Sequence, residues 1–578
     1  MVRGGQVADL DSVSEILERL LRARGIGDEE RERFLHPSLA DLADPADLPG
    51  VVEASRVILD AVAAGKRIVV FGDYDCDGVC ATAILVEALT ALAKPGTVSP
   101  FLPERLGEGY GMGDASVARM LKENPGVGLV VTVDNGINSI EQVAALKARG
   151  IEVVVTDHHL PSQGDGGGDD GECVKLPGAA SVVDPKVSAP DRLQNLCGAG
   201  VAFFLASRMV SDARARGLYS GPKIAGPLLV LAGLATVTDI MPLLGQNRIL
   251  VAEALKNFRA CAPLGLQELH FRAARNARGE MTSRDFAFLL GPRINAAGRL
   301  ASGMDALDLI LETSRERVRE YALRIDLNNS ERKAIEQRMT EEALAKVVPG
   351  ALSQVIDLPD GHPGVAGIVA ARVLERLGDT VPVCVFAGGH GSGRAPRGFN
   401  IRDAFVACDE VLERYGGHAA AGGFSVKDGK VGRFRELLEE YCSRLSRAGE
   451  FSAAPAEPTD LWLDPRSVTL ELAEALQVLE PYGEANEEPV FGLRGVALDD
   501  VRQLGPDGRH LSAMVECEGL ASPLRAIWWG HGSRVEEMRE IGAGACDLRV
   551  TLAISDYGAR HVELRVRSAA NGERRICA

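Results

Sequence analysis

The sequence has no C-x-x-C spacing, and its cysteines number 11, an odd count. A disulfide framework or a structural zinc site is therefore not what organises it. The cysteines mostly sit in apolar surroundings, as Cys384 does in VPVCVF, and read as reduced core residues of a cytoplasmic protein. Uninterrupted apolar runs of membrane-spanning length are also missing. The best stretch, residues 224–244, is broken by Pro227 and Gly233 and carries Asp239, so it reads as a buried helix rather than a span. The first 25 residues lack the apolar region of a signal peptide. There is no basic excess: 64 Lys and Arg stand against 81 Asp and Glu, a net charge of −17. That excludes a uniformly basic coat for nucleic acid. It does not exclude an enzyme acting on nucleic acid, because a metal site is itself acidic and basic residues can concentrate in one groove. No internal repeat is visible.

What is present fits a multidomain globular chain. At ~150 residues per domain, 578 residues suggest roughly four domains. Apolar residues at 46% and charged residues at 25% are ordinary for folded proteins. Residues 1–50 read as a polar helical extension closed by Pro37, Pro45 and Pro49. From 51 to 313 the pattern changes. RIVVF (67–71), GLVVTV (128–133), IEVVVT (151–156) and SVVD (181–184) alternate with amphipathic helical stretches. Continuous β-rich runs separated by helices predict a parallel, doubly wound α/β sheet. The Gly/Asp-rich residues 164–171 read as a flexible insertion, not a calcium loop.

Residues 314–350 predict one long charged connecting helix. Val318, Tyr321, Ile325, Ile335, Met339 and Ala343 give it an irregular apolar stripe, and Pro349-Gly350 stops it. A second α/β domain is expected over 351–450, then an Ala/Pro-rich linker at 451–458. The remainder, 460–578, has short alternating strands that predict a small β-barrel.

Four segments place acids or histidines just after apolar runs. They are FGDYDCDG with Asp73, Asp75 and Asp77, VTVDNG with Asp134, VVVTDHH with Asp157, His158 and His159, and TVTDIMP with Asp239. In an open parallel sheet the carboxyl ends of the strands line one crevice, where ligands bind. The first three segments converge there, and the fourth can fold in from a helix end. A lone Asp after a strand is usually a turn former or helix cap. Three acids at i, i+2 and i+4, an Asp-His-His and two further acids together point elsewhere. Such acids repel unless cations neutralise them, and hard divalent ions such as Mg²⁺ or Mn²⁺ suit carboxylate and imidazole donors. Two ions ~3.5–4 Å apart can activate a water and stabilise both oxygens of an in-line phosphoryl displacement.

These four segments resemble the motifs of the DHH phosphoesterase superfamily. Downstream, GPRINAAGR (291–299), LNNSERKAIEQRM (327–339), GSGRAPRGFNI (391–401), YGGHAAAGGFS (415–425) and LEPYGEANEEPVF (479–491) resemble its RecJ branch. The resemblance implies a DHH domain, a DHH-associated domain and a C-terminal OB-fold barrel. It implies a 5′→3′ exonuclease specific for single-stranded DNA, acting in recombination and repair with two Mn²⁺ or Mg²⁺ ions. One ion would be held by Asp77, Asp134, His158 and Asp239, the other by Asp75 and the shared Asp134. A histidine that often supplements the second site is replaced here by Phe71. His159 would sit at the scissile phosphate, with Asp73 and Asp157 orienting neighbours.

By the same resemblance, Arg293, Ser392 and Arg394 would hold the 5′-terminal phosphate, with Asn295 and Arg299 beside them. His418 would face the site, and Arg105 and Tyr110 would gate the strand and stack on a base. The bland alternative for each arginine is an interface ion pair. Trp528 and Trp529 are adjacent, so at most one faces each side of its strand. Cys76 reads as a core filler. The expected partner is single-stranded DNA, with a single-strand-binding protein or a helicase as candidate recruiters of a monomeric enzyme; no membrane is involved. The rival reading is a DHH phosphodiesterase for very short oligonucleotides, cyclic dinucleotides or small phosphate esters.

Overall fold

The computed structural model describes residues 12–105, 107–109, 111–162, 174–221, 225–274, 280–451, 459–542, 544–556 and 559–572. The chain forms two compact units. One comprises Ala43–Met241 and Ala254–Ala456; the other comprises Met1–Leu42, Pro242–Glu253 and Glu457–Ala578.

The larger unit opens with a five-stranded parallel sheet. Its strands are β1 (Arg67–Phe71), β2 (Val98–Phe101), β3 (Val127–Thr132), β4 (Glu152–Thr156) and β5 (Ser181–Val183), in the order β2-β1-β3-β4-β5. Four of them are the apolar runs read from the sequence. The fifth, β2, reads VSPF and gives no apolar run. It lies at the sheet edge, where a proline costs no ladder hydrogen bond. The order reverses between β1 and β3, and crevices at such switch points bind ligands. Every residue of β1 after Arg67 is buried, as expected for a sheet with helices on both faces. The interrupted apolar stretch forms the helix Ala225–Thr238.

The predicted connector is a single 31-residue helix, Arg315–Ala345, burying Val318, Ala322, Ile325, Met339 and Ala343. After it comes a mixed sheet of β6 (Gln354–Leu358), β7 (Val383–Ala387), β8 (His390–Arg394), β9 (Leu412–Gly417) and β10 (Ala421–Val426), in the order β6-β7-β8-β10-β9. Only β6 and β7 pair in parallel. Phe405, Phe424 and Phe434 fill one side of this sheet.

The smaller unit is built on β11 (Leu461–Leu463), β12 (Phe491–Leu504), β13 (His510–Glu516), β14 (Leu524–Trp528), β15 (Cys546–Ser555) and β16 (His561–Asn571). The pairings β12-β13-β14-β16-β15 return to β12, closing a five-stranded barrel with β14 and β16 parallel. This is the closed Greek-key arrangement of an OB-fold. Trp528 is buried and stacks on His531 at 4.4 Å, whereas Trp529 is exposed beside His510.

Residues 12–42, part of the 1–50 stretch read from the sequence as an extension, share this unit's core, whereas the larger unit begins at Ala43. Ile16, Leu20, Leu21 and Phe34 pack with Leu472, Leu479 and Phe491. Arg248 ties the three chain segments together. It is 1% exposed, and its guanidinium donates to the carbonyls of Phe34, Glu480 and Pro481 and lies 3.9 Å from the Phe34 ring centroid. Arg248→Met keeps much of the apolar bulk but strands the carbonyls of Phe34 and Glu480, while Pro481 still accepts from the Asn486 side chain. At about 1–3 kcal/mol for each buried unsatisfied group, the unit should lose at least about 2 kcal/mol, read from denaturant unfolding.

Candidate metal centre and phosphate nest

Each acid of the centre is placed by the end of a strand or helix. Asp75 caps the helix Cys76–Leu92, and its carboxylate accepts from the Gly78 N–H at 3.0 Å. Asp77 lies in the first turn of that helix. Its two oxygens accept from the backbone N–H groups of Gly198 (2.7 Å) and Ala199 (2.8 Å), which open the helix Gly198–Ala215. A helix N-terminus carries partial positive charge and suits a carboxylate.

Asp134 follows β3 in the left-handed conformation, φ 61°. That is uncommon for a non-glycine residue, and such strain concentrates at functional sites. A β-carbon on Gly198 would lie 2.6 Å from the Asp134 Cβ, so only glycine there permits the approach. His158 follows β4. Its Nε2 is 3.0 Å from Asp134 Oδ1, 3.6 Å from Asp77 Oδ2 and 3.7 Å from Asp239 Oδ2. Asp239 arrives from the end of the Ala225–Thr238 helix.

Burial, with repulsion from neighbouring carboxylates behind it, pushes Asp73, Asp134 and Asp239 well above the usual carboxylate range. Burial also raises Asp77. It lowers His158 to about 4, which keeps that imidazole neutral and able to ligate. Asp73 is buried, with no well-formed hydrogen bond to either oxygen, although the Tyr74 and Gly111 N–H groups lie near it. Donor atoms of Asp77, His158 and Asp239 lie within 4.8 Å of one another, as do those of Asp73, Asp75 and Asp134. A crowded set of carboxylates and one neutral imidazole fits hard divalent cations. The second group brings in Asp73, beyond the orienting role that the resemblance implies for it. Phe71 is buried against Phe101, ring centroids 4.9 Å apart, and offers no donor.

His159 is held differently. Its Nδ1 lies 2.8 Å from Asp157 Oδ1, and Asp157 also accepts from the backbone N–H groups of Ile137 and His158. Burial works against a charged His159. The bond to Asp157 and the charges of Asp157, Asp239 and Asp75 outweigh it and raise the pKa to about 9. His418, from the turn between β9 and β10, stacks on His159 at 5.8 Å.

Beside the acids lies a group of arginines. Arg299 donates to the Gly364 carbonyl at 3.0 Å. Burial, then the like charges of Arg105, Arg394 and Arg332, lowers its pKa to about 9. Arg394 donates to the Gly393 carbonyl. A β-carbon on Gly367, in the first turn of the helix Ala366–Arg376, would lie 2.8 Å from Arg394 Nη2 and 3.2 Å from Ser392 Oγ. Ser392 and Arg394 therefore converge over a helix N-terminus, a ready anion site. Arg105 lies over the Tyr74 ring at 5.1 Å. Tyr74, Arg105, Gly364 and Ser392 line a cleft of about 340 Å³.

Not every candidate joins the nest. Arg293 is committed to Asp326 (2.9 Å) and to the Leu289 carbonyl, the ion-pair alternative. The Asn295 side-chain oxygen accepts from the Cys76 N–H at 2.8 Å, so it braces the turn between Asp75 and Asp77. Cys76 itself is buried. Tyr110 lies outside the described residues. Sequence reasoning missed Tyr74, although it stands between two site acids. It also missed the clamp on Asp77, whose only trace is the GAG at 198–200.

Three family models match the chain: the DHH family N-terminal domain over residues 67–231, the DHHA1 domain over 350–444 and the RecJ OB domain over 459–568. A single-stranded-DNA-specific exonuclease RecJ of Dickeya dadantii is 34% identical, covering 96% of this chain and 96% of its own length. The chain belongs to the RecJ family. The RecJ of Escherichia coli is 34% identical over 92% of this chain and 93% of its own. This RecJ-family chain spans 64% of the Bacillus subtilis relative, at 30% identity. The crystal structure of RecJ in complex with Mn²⁺ from Thermus thermophilus matches with a TM-score of 0.78 and 32% identity, covering 96% of this chain and 76% of that one.

Proposed function

We propose that the chain is a divalent-metal-dependent 5′→3′ exonuclease that degrades single-stranded DNA to 5′-mononucleotides in recombination and repair. The observation that carries this reading is the arginine-lined nest opening beside the acid cluster. The RecJ relatives named as single-stranded-DNA-specific exonucleases support it.

Asp77, Asp134, His158 and Asp239 would hold one ion; Asp75 and the shared Asp134 would hold the second, with Asp73 next to it. When bound, Mn²⁺ or Mg²⁺ supplies neutralisation of the phosphodiester and acidification of a water. The water oxygen bonds to phosphorus, and the 3′-oxygen of the terminal nucleotide leaves with a proton. Asp157 fixes the Nδ1 side of His159 and leaves Nε2 to donate to the scissile phosphate. Ser392, Arg394 and Arg299 hold the 5′-phosphate, so cutting is counted from that end. In the same reading the protein is a cytoplasmic monomer served by a single-strand-binding protein or a helicase. No disulfide joins the described cysteines, in keeping with a reducing compartment.

Asp157→Asn should lower kcat about 10- to 100-fold, the usual effect of losing such a support. Thermal stabilisation by added Mn²⁺ should be unchanged, because Asp157 holds no ion. The reading as a whole is tested with one long single strand labelled at either end, in Mn²⁺, Mg²⁺ or chelator. Metal-dependent release of labelled mononucleotide from the 5′ label, with stepwise shortening of the 3′-labelled strand, is expected. Intact long DNA alongside hydrolysed dinucleotides would move the assignment to a small-substrate phosphodiesterase.

A further inference from the structure

The cleft does not end at the phosphate nest. In the β8-β10-β9 ladder, Ser392 pairs with Gly423 and Gly423 with Gly416, while Ser425 pairs with Arg414. Side chains alternate across a strand, so His390, Ser392 and Arg394 share one face with Ser425 and Arg414. This is the face that meets Gly367 at the start of the Ala366–Arg376 helix. Its middle is bare. A β-carbon on Gly416 would meet nothing within 4 Å, and one on Gly423 only a carbonyl at 3.9 Å.

Along β8, His390 lies two residues, or ~7 Å, beyond Ser392, and Arg414 is two strands from β8, ~10 Å away. The hairpin end of the ladder carries His418 against His159. Arg414 and His390 are therefore on the side of the nest away from the metal centre. Both line the cleft with Tyr74 and Arg105, and among the described residues none of the lining side chains is acidic. Among the described residues no carboxylate pairs with Arg414, which is exposed. A basic, acid-free space beyond the subsite for the first 5′-phosphate suits further phosphoryl groups attached to it.

We propose that this outer cleft receives a 5′-polyphosphate, so that strands ending in a 5′-triphosphate are substrates and Arg414, with His390, recognises the distal phosphates. The inference rests on the assignment of Ser392, Arg394 and Arg299 to the 5′-phosphate. In the first turnover, water oxygen bonds to the phosphorus joining the first two nucleotides and the 3′-oxygen leaves with the proton. The products are an intact nucleoside 5′-triphosphate and a strand with a 5′-monophosphate, so no anhydride bond is broken.

The test compares one DNA sequence with a 5′-hydroxyl, a 5′-monophosphate or a 5′-triphosphate, using wild type and Arg414→Gln, with chromatography of the first product. Wild type is expected to degrade the triphosphate strand with a KM no higher than for the monophosphate strand and to release nucleoside triphosphate. Arg414→Gln is expected to raise KM for the triphosphate strand about 10-fold or more, the scale of a lost charged hydrogen bond, and to leave the monophosphate strand within about twofold. Resistance of the triphosphate strand in wild type overturns the inference alone. So does an equal loss on both strands in the variant, because the cleft would then hold the terminal nucleoside. A wild type that does not prefer the monophosphate over the hydroxyl strand overturns the nest assignment and this inference together.

Discussion

Asp134→Asn should abolish turnover while leaving a folded protein. Among the described residues, Asp134 is the one acid within 4.8 Å of donors in both the Asp73–Asp75 group and the His158–His159 pair, so its loss would disturb both proposed ion sites at once. A single lost electrostatic donor typically costs about 10²–10³ in kcat; a shared metal ligand should cost more, at least about 10³-fold. The fold should survive for two reasons. Asparagine tolerates the left-handed φ of 61° at this position. The substitution also removes one of several buried charges that repel one another, Asp77 and Asp75 contributing most of that repulsion. Without metal, the variant should therefore melt at or above the wild-type temperature. Addition of Mn²⁺ should raise the wild-type melting temperature and barely move the variant's. At an ion concentration 100 times its Kd, mass action gives about 2.7 kcal/mol per site. Near-wild-type activity in the variant would sink the shared-ligand arrangement.

Arg394→Ala should separate two substrates that differ by one phosphate. Hydrogen bonds to charged groups are worth about 1.5–3 kcal/mol, so kcat/KM for a 5′-phosphorylated strand should fall roughly 10- to 150-fold. A 5′-hydroxyl strand, which never made the contact, should be affected less than about twofold. Gly367→Ala provides an independent check. Its new methyl would sit 2.8 Å from Arg394 Nη2 and 3.2 Å from Ser392 Oγ, displacing both groups without changing any charge, and should reproduce the selective loss. Equal losses on the two strands would mean that these residues position the domain rather than the phosphate.

The strand-end acids were legible because their signal is local. A run such as RIVVF followed by GDYDCDG states both the strand and what its carboxyl end carries, and parallel strands bring such ends to one crevice. The 31-residue helix and the barrel were legible for the same reason, since periodicity and Pro/Gly stops act within a few residues. β2 was not, because VSPF becomes a strand only by pairing with β1 at the sheet edge. Nor was the sharing of one core by residues 12–42 and the barrel, which depends on contacts between segments at opposite ends of the sequence.

Residue types near an acidic site say that cations and phosphates meet there; they do not say which arginine is free. Arg293 and Arg394 look equivalent in sequence, yet Arg293 is neutralised by Asp326 from the long helix, while Arg394 faces the start of another helix across Gly367. Asn295, adjacent in sequence to the nest candidates, has its side-chain oxygen taken by the Cys76 N–H. The chemistry proposed for this protein, acids and imidazoles for divalent cations and glycine-rich segments with arginines for phosphate, is written in short stretches of chain. Which cations remain unpaired, and how far the cleft runs past Ser392 and Arg394, depends on partners brought together by packing, because burial and pairing are properties of the assembled neighbourhood and not of any one segment.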